Sequence, residues 1–440
     1  MRDRGPGGVE LAPAPDEGPV GDALLPMTAQ RRADGRLSVG GVDLLSLAEE
    51  HGTPLFVYDE AHLRARCRGA RAAWGEGVAY ATKSFLCLAM ARLVSEEGLA
   101  LDVATGGELH VALAAGVDPA RIVVHGNNKS ETELARALEA GVGRIVVDSF
   151  DEIDRLAKLT AGRTRPQPVL VRVTPGVEAH THEFVRTGQD DSKFGLGLAS
   201  GAAAEALARV ASVPGIEVVG IHAHIGSQVF RMASFAEEVR ALVGFVAPLG
   251  LPELCIGGGL GVAYVAGEPS PSMAAWADTV REACAAAGIP GTTRISAEPG
   301  RAIVASAGMT LYRVGTIKEV PGVRTFVSVD GGMSDNPRPV LYGSGYEAFL
   351  PRAVDAPRPR PVRVVGKHCE SGDIVVADAR VPADIVVGDV LATPVTGAYG
   401  YAMASNYNKV PRPAVVFVAD GRARIVVRRE TDDDLVRLDV

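Results

Sequence analysis

Between residues 78 and 297 the chain alternates short apolar runs with longer amphipathic stretches. Runs at 78–82, 101–104, 122–125, 145–148, 169–173, 218–224, 254–256 and 294–297 are apolar and largely β-branched, the pattern of strands buried on both faces. Between them, segments such as 86–97, 131–140, 152–159 and 235–246 place Ala, Leu and Val at helical spacing among Glu, Lys and Arg. Eight strands alternating with helices is the count of a closed (β/α)8, TIM-like barrel. An open doubly wound sheet fits the same pattern and stays open at this point.

After about residue 305 the texture changes. Short β-branched runs at 310–314, 325–329, 363–365, 374–377, 390–392, 415–419 and 424–427 are separated by Gly, Pro and Asp, which predicts a mainly β domain. Upstream, 35–42 reads as a hairpin and 44–51 as a helix. Residues 1–36 are rich in Gly, Pro and charge and predict a disordered extension. The Pro/Arg-rich loop 351–361 is expected to be mobile. The organisation predicted is therefore an extension over 1–36, an N-terminal segment over 37–53 packing with the β domain, a (β/α)8 barrel over 54–305 and a β-barrel domain over 306–440.

Composition narrows the function classes. The 440 residues carry a formal net charge of -8, and no long basic run is present, which argues against a nucleic-acid partner. No apolar stretch is long enough to span a bilayer. The N-terminus lacks an apolar signal core, and the five cysteines are odd in number and scattered. Both features predict a cytoplasmic protein in a reducing compartment.

The barrel reading makes a demand on the polar residues: they should gather where strands end. They do. The first strand runs into Lys83, in the turn before a helix. The second carries Asp102 and the third ends in His125. The fourth ends in Asp148 and the fifth holds Arg172. The sixth holds His222 and His224 and runs into Ser227. The seventh ends in Gly257, Gly258 and Gly259, and the eighth in Glu298 and Arg301. A lysine at a barrel mouth can form a Schiff base with a carbonyl compound or with pyridoxal phosphate. An arbitrary loop lysine is merely solvated; eight polar strand ends together favour the chemical reading. The glycines after the seventh strand offer backbone N–H groups to an anion, and a phosphate commonly sits there in such barrels. A plain tight turn is the alternative. His222 and His224 share a face of their strand. Zinc is one reading, but no carboxylate or cysteine stands nearby in sequence to complete a site, so no metal is expected; stacking on a flat cofactor is the other. His180 and His182 lie in a polar loop and read as substrate-side or structural. Glu298 could hold the proton of a pyridine ring, or be one half of a structural ion pair with Arg301.

Ten ordered motifs carry a resemblance to a known family: YATKSF, LDVATGGEL, HGNNKS, GVEAHTHEF, HAHIGSQ, GGGLG, EPGR, DGGMSDNPRPVLY, KHCESGD and TGAY. With them the chain resembles the diaminopimelate decarboxylases, pyridoxal-phosphate enzymes of the alanine-racemase-like fold group, over nearly everything after residue 37. The resemblance implies that Lys83 holds the cofactor, His224 stacks on its ring and Glu298 pairs with the pyridine nitrogen. Ser227, Gly257, Gly258 and Gly259 would cradle the phosphate with Tyr399 near it, and Asp102 and Arg172 match supporting positions. Arg301, Arg338 and Tyr342 would bind the distal carboxylate of the substrate, Glu370 its distal ammonium, and Cys369 would stand near Cα as an acid. Cys369 and Glu370 would come from the neighbouring subunit of a homodimer. The implied reaction is decarboxylation of meso-2,6-diaminopimelate to L-lysine and CO2, the last step of lysine biosynthesis.

Rivals are weighed on the same residues. A decarboxylase of ornithine or arginine needs no cation for a distal carboxylate, and Arg338 beside Tyr342 argues against it. A racemase would want a second base across the ring. A single-barrel cofactor-binding protein would lack the β domain. An enzyme acting on a modified diaminopimelate or another D-amino acid remains an alternative, since the N-terminal extension and the loop 343–346 could reshape the pocket.

Overall fold

The computed structural model describes residues 17–177 and 192–440. His180 and His182 therefore lie outside the described residues. The chain forms two compact units. One is Leu63–Val262 with Ser270–Ala305; the other is built from Met1–His62, Ala263–Pro269 and Ser306–Val440.

The first unit is the predicted barrel. Its barrel strands are β1 (Ala79–Ala81), β2 (Ala100–Val103), β3 (Ile122–Val124), β4 (Arg144–Val147), β5 (Gln167–Thr174), β6 (Ile216–His222), β7 (Glu253–Cys255) and β8 (Arg294–Ser296), and the short strand Leu196–Gly197 pairs in parallel with the end of β5. Each pairs in parallel with its sequence neighbour. The ring closes because Val78 bridges Ala297 in parallel: Ala79 N–H donates to Ala297 O at 3.0 Å and Ala297 N–H to Gly77 O at 3.2 Å. Closure decides against the open sheet. A side chain at Gly77 would come within 2.9 Å of Ile295 O, so the seam needs the glycine.

Strand alternation then sorts the interior into layers. Val123, Val146, Leu170 and Cys255 pack together as one buried apolar cluster. The residues two positions further on, His125, Asp148, Arg172 and Gly257, share their faces and rise one layer toward the strand ends. Arg294, Ser296 and Glu298 follow the same rule on β8. At the opposite end, Glu253 is buried against Arg144 (2.6 Å) and Arg294 and accepts from Ser296 Oγ at 2.8 Å. The apolar layer thus separates a structural ion cluster from the polar end.

The second unit is mainly β. Beyond residue 305 its strands are β9 (Gly308–Val320), β10 (Arg324–Val329), β11 (Arg360–Val365), β12 (Ile374–Val381), β13 (Val390–Pro394), β14 (Ala414–Ala419) and β15 (Arg422–Val427). The hydrogen-bonded order is β12-β11-β10-β9, then Leu55–Asp59, then β14-β15, with β13 on β9. Leu55–Asp59 is buried throughout and pairs antiparallel with β9 and parallel with β14. Residues 54–62 therefore belong with the β unit, not with the barrel to which they were assigned, and so do Ala263–Pro269.

Two expectations of disorder are corrected. Within the extension predicted over 1–36, Glu17–Arg36 is folded: Asp22–Leu24 form a turn of 3-10 helix and Gln30–Arg31 pair with Leu37–Ser38. The reason is that Val20, Leu24 and Leu25 are buried, although Met27 is exposed, and Thr28 binds Asp59 through N–H (2.9 Å) and Oγ (2.8 Å). The loop 351–361 is likewise ordered, because Arg358 is buried and hydrogen-bonded on three sides.

Candidate active site

In the barrel unit the candidate residues start at Lys83. The turn Thr82–Ser84 is fixed by buried hydroxyls: Thr82 Oγ donates to Asp102 O (2.8 Å), Ser84 Oγ to Ala81 O (2.9 Å) and Tyr80 Oη to Phe85 O (2.7 Å). Thr82 and Ser84 point inward, and Lys83 between them is exposed. The sequence YATKSF thus anchors a turn on three neutral hydroxyls and leaves its amine free to react.

Glu298 is the centre of the polar layer. His125 Nε2 lies 2.8 Å from Oε1 and His222 Nε2 lies 3.0 Å from Oε2. Burial favours the neutral acid, but the two imidazoles outweigh it and hold Glu298 well below the usual carboxylate range. His222 is pushed down to about 4, first by burial, so it stands neutral at pH 7. Burial also pulls on His125, but the Asp102 carboxylate (3.6 Å) and Glu298 outweigh it and raise its pKa. Burial and the Glu298 charge lift Asp102 to about 6, against the pull of His125 and Lys83. The result is an anion kept ionised in a dry site, which is what holding a protonated ring nitrogen requires. His125, absent from the roles drawn from the sequence, is its nearest partner; its only signal there was a polar strand end in HGNNKS. The carboxylate found missing near His222 in the sequence is supplied from β8 by the fold. His125, His222 and Glu298 present three ligand atoms within 4.8 Å of one another, a set a metal ion could use. Each carboxylate oxygen is instead taken by one imidazole at hydrogen-bond distance.

His224, half-buried, faces the same space. Burial and then the Lys83 charge keep its imidazole well below its ordinary value, so its ring is neutral and suited to stacking. Its Nδ1 accepts from Gly258 N–H at 3.3 Å. Gly257 has φ +64° and Gly259 φ +109°, and added Cβ atoms at Gly257, Gly258 and Gly259 would meet neighbours at 2.7, 2.4 and 2.1 Å. No side chain fits here, so the loop presents bare backbone, as a phosphate cradle must. Ser227 Oγ accepts from Arg301 Nη2 at 2.9 Å. Arg172 is 3.6 Å from Asp148 and lies over the Phe194 ring at 4.5 Å, and Asp148 Oδ1 accepts from Gly195 N–H at 2.8 Å. Behind these loops the buried pair Lys129–Glu152 (2.9 Å), with Lys129 also donating to Val146 O (2.8 Å), ties the ends of β3 and β4 together. The barrel therefore brings Asp102, Arg172, His224, Ser227, Gly257, Gly258, Gly259, Glu298 and Arg301 to one end with Lys83.

The β unit holds the other predicted residues. Arg338 opens the short helix Arg338–Tyr342, is buried, and donates from Nη1 to Tyr346 Oη at 2.7 Å. Its guanidinium lies 4.2 Å from the Tyr264 ring centroid. Burial works against its charge, but Tyr264, Tyr346 and Tyr399 outweigh it and raise its pKa. Tyr342 and Tyr399 are half-buried, and Tyr399 adopts φ +58°. Cys369 and Glu370 are exposed on a turn. The turn is rigid because His368 bonds Ser334 (2.8 Å) and Asn408 (2.9 Å), and Asp373 accepts from His368 N–H (2.8 Å) and Met333 N–H (2.6 Å). Glu370 is held by the Tyr407 hydroxyl.

The residues present fit pyridoxal phosphate: an exposed lysine, an ionised buried carboxylate, a neutral imidazole and a side-chain-free glycine loop stand at one barrel end. The comparisons agree. Residues 60–305 match the pyridoxal-binding domain of the pyridoxal-dependent decarboxylases. The chain is 50% identical to the diaminopimelate decarboxylase of Mycobacterium tuberculosis (strain ATCC 25618 / H37Rv), over 95% of this chain and 98% of that protein. It is 45% identical to that of Bacillus subtilis (strain 168), over 94% and 97%. The diaminopimelate decarboxylase structure from M. jannaschii in complex with L-lysine superposes with a TM-score of 0.86 at 33% identity, covering 94% of this chain and 98% of the other. The chain belongs to the diaminopimelate decarboxylase family of pyridoxal-phosphate-dependent decarboxylases.

Proposed function

We infer that this chain decarboxylates meso-2,6-diaminopimelate to L-lysine and CO2, the closing step of lysine biosynthesis. The observation that carries the chemistry is Glu298, a buried carboxylate kept ionised by two imidazoles at the polar end of the barrel. When bound, pyridoxal phosphate supplies a ring that withdraws the electron pair left behind as CO2 departs. The Lys83 amine holds the cofactor. Glu298 accepts the hydrogen bond of the ring nitrogen and keeps its proton in place. His224, neutral, would offer a flat ring for stacking without adding charge. Gly257, Gly258, Gly259 and Ser227 would take the phosphate, with Asp102 and Arg172 supporting the polar layer, and Tyr399 is assigned to the same group by the family resemblance.

Substrate choice rests on the residues that would bind the distal head group. Arg301, Arg338 and Tyr342 bind the distal carboxylate, and Glu370 the distal ammonium; a zwitterionic head group needs such a paired set. Cys369 delivers a proton near Cα. Because Cys369 and Glu370 stand exposed on a rigid turn, they are suited to complete the site of a second copy, so the working form is a homodimer with shared sites. Among the described residues no helix is long and apolar enough to cross a membrane. The five cysteines, unpaired and four of them buried, suit a reducing cytoplasm.

The test is to incubate the purified protein with pyridoxal phosphate and a panel of amino acids and to measure CO2. Release from meso-diaminopimelate with formation of L-lysine is expected. Release from another amino acid but not from this one would overturn the substrate reading.

A further inference from the structure

Arg338 is held by two residues that do not belong to its own helix. Tyr346 accepts its Nη1–H at 2.7 Å, and the Tyr264 ring covers it at 4.2 Å. The two phenol rings meet edge to face at 5.2 Å and 80°. Among the described residues, Arg338 makes no other hydrogen bond, so the remaining donors of the fork stay available for a carboxylate.

The two tyrosines are in turn held together by Glu347. Its Oε1 accepts from Ala266 N–H at 2.8 Å and its Oε2 pairs with Arg358 Nη1 at 2.7 Å. Gly345 packs so closely on the same stretch that an added Cβ would lie 3.2 Å from Val265. Arg358 and Glu347 are each about 2% exposed at the side chain. Arg358 cannot be satisfied by Glu347 alone. It donates from Nε to Gly18 O at 2.7 Å, from Nη1 to Ala348 O at 3.2 Å and from Nη2 to Pro19 O at 3.4 Å, and its own N–H donates to Glu17 O at 2.7 Å. A buried ion pair is held only while its outer donors are satisfied; otherwise the charge is left unpaid in a dry site.

We propose that Glu17–Pro19, Arg358 and Glu347 form a positioning relay that locks Tyr264 and Tyr346 onto Arg338 and so sets the affinity for the distal carboxylate. This rests on the reading of Arg338 as part of the carboxylate site and assigns a task to the N-terminal strap. The relay touches neither cofactor nor reacting atoms. It acts through the orientation of one guanidinium, so it changes substrate binding and not the chemical step.

The test uses the holoenzyme and four variants: Tyr346→Phe, Tyr264→Leu, Arg358→Lys and a chain lacking residues 1–19. Each is measured for kcat and KM with meso-diaminopimelate, for competition by L-lysine and by cadaverine, and for cofactor absorbance. Loss of one hydroxyl, one ring contact or the strap is expected to raise KM about three- to tenfold with kcat within about twofold. L-lysine, which keeps the carboxylate, weakens in parallel; cadaverine, which lacks it, does not. Arg358→Lys retains the pairing charge but not the fork, so its effect is the mildest of the four. Arg338→Ala serves as the reference. If it raises KM and the four variants do not, or if they lower kcat and weaken both competitors alike, the relay is refuted while the carboxylate site stands. If Arg338→Ala itself leaves KM unchanged, the carboxylate reading and the relay both fall.

Discussion

Replacing His222 by Gln should flatten the acid side of the stability curve. His222 is 2% exposed. Its Nε2 bonds Glu298 at 3.0 Å and its Nδ1 has no hydrogen-bond partner among the described residues. Burial pushes its pKa down to about 4, whereas the unfolded chain protonates an imidazole near 6.5. The folded value is depressed, so between these limits the unfolded state binds the proton and the folded state does not. Stability is then unaffected above about pH 6.5, falls as the pH drops toward about 4, and changes no further below that. A shift of roughly 2.5 units at 1.36 kcal/mol each gives a loss of about 3 kcal/mol from this one group. Asp102 works in the opposite direction over part of the window, since its raised value of about 6 makes the folded state the better proton binder. The difference between native and variant isolates His222. Gln keeps a donor toward Glu298 but cannot titrate. Urea unfolding at several pH values from 4.5 to 7.5 reads this directly, because the only two tryptophans, Trp74 and Trp276, meet edge to face at 4.7 Å inside the barrel unit. The native protein should lose about 1 kcal/mol more per pH unit than the variant below about pH 6. Parallel pH dependences would refute the claim that His222 is buried neutral.

Three further outcomes are expected. Lys83→Ala should remove the visible absorbance of the lysine-bound cofactor; an unchanged spectrum after dialysis would remove Lys83 from its role. Glu370→Ala should raise KM for meso-diaminopimelate about ten- to a hundredfold while cofactor absorbance persists, because a charge-assisted partner of the distal ammonium is lost; equal loss of cofactor binding would contradict a substrate role. Mixing inactive Lys83→Ala and Cys369→Ala proteins should restore activity to roughly a quarter of the native level through mixed dimers; no recovery, once subunit exchange is demonstrated by mass, would count against shared sites.

Local signals in the chain were sufficient wherever an element depends on its own residues. Helix Glu131–Ala140 matches its predicted bounds because Ser130 and Glu133 form a capping box and Gly141 takes the left-handed turn at its end. The eight barrel strands fall within two residues of their predicted bounds, since each is a continuous apolar run whose burial on both faces leaves little choice. Leu55–Asp59 was missed as part of the β sheet because its apolar run is equally suited to either unit; pairing with β9 and β14 decides it. The extension and the loop 351–361 look disordered by composition, yet each satisfies the other: Arg358 is buried by the backbone of Glu17–Pro19, and neither segment shows this alone.

What the amino-acid order determined by itself is the set of chemical groups and the faces they take. Lys83 must follow a strand, Glu298 must share a face with Ser296, and Gly257 to Gly259 must expose backbone, because strand alternation and turn chemistry act over a few residues. Only the tertiary structure decided what those groups become. The closed ring brings His125 from β3 and His222 from β6 onto the two oxygens of Glu298. Burial and paired charge then fix one imidazole neutral and the carboxylate ionised, which no spacing in the sequence encodes. The same holds for Arg338, whose cation is ordinary until Tyr264, Tyr346 and the Arg358–Glu347 pair, drawn from separate stretches of the chain, give it one orientation. Protonation state and orientation depend on distance and desolvation, and those exist only once the chain has folded.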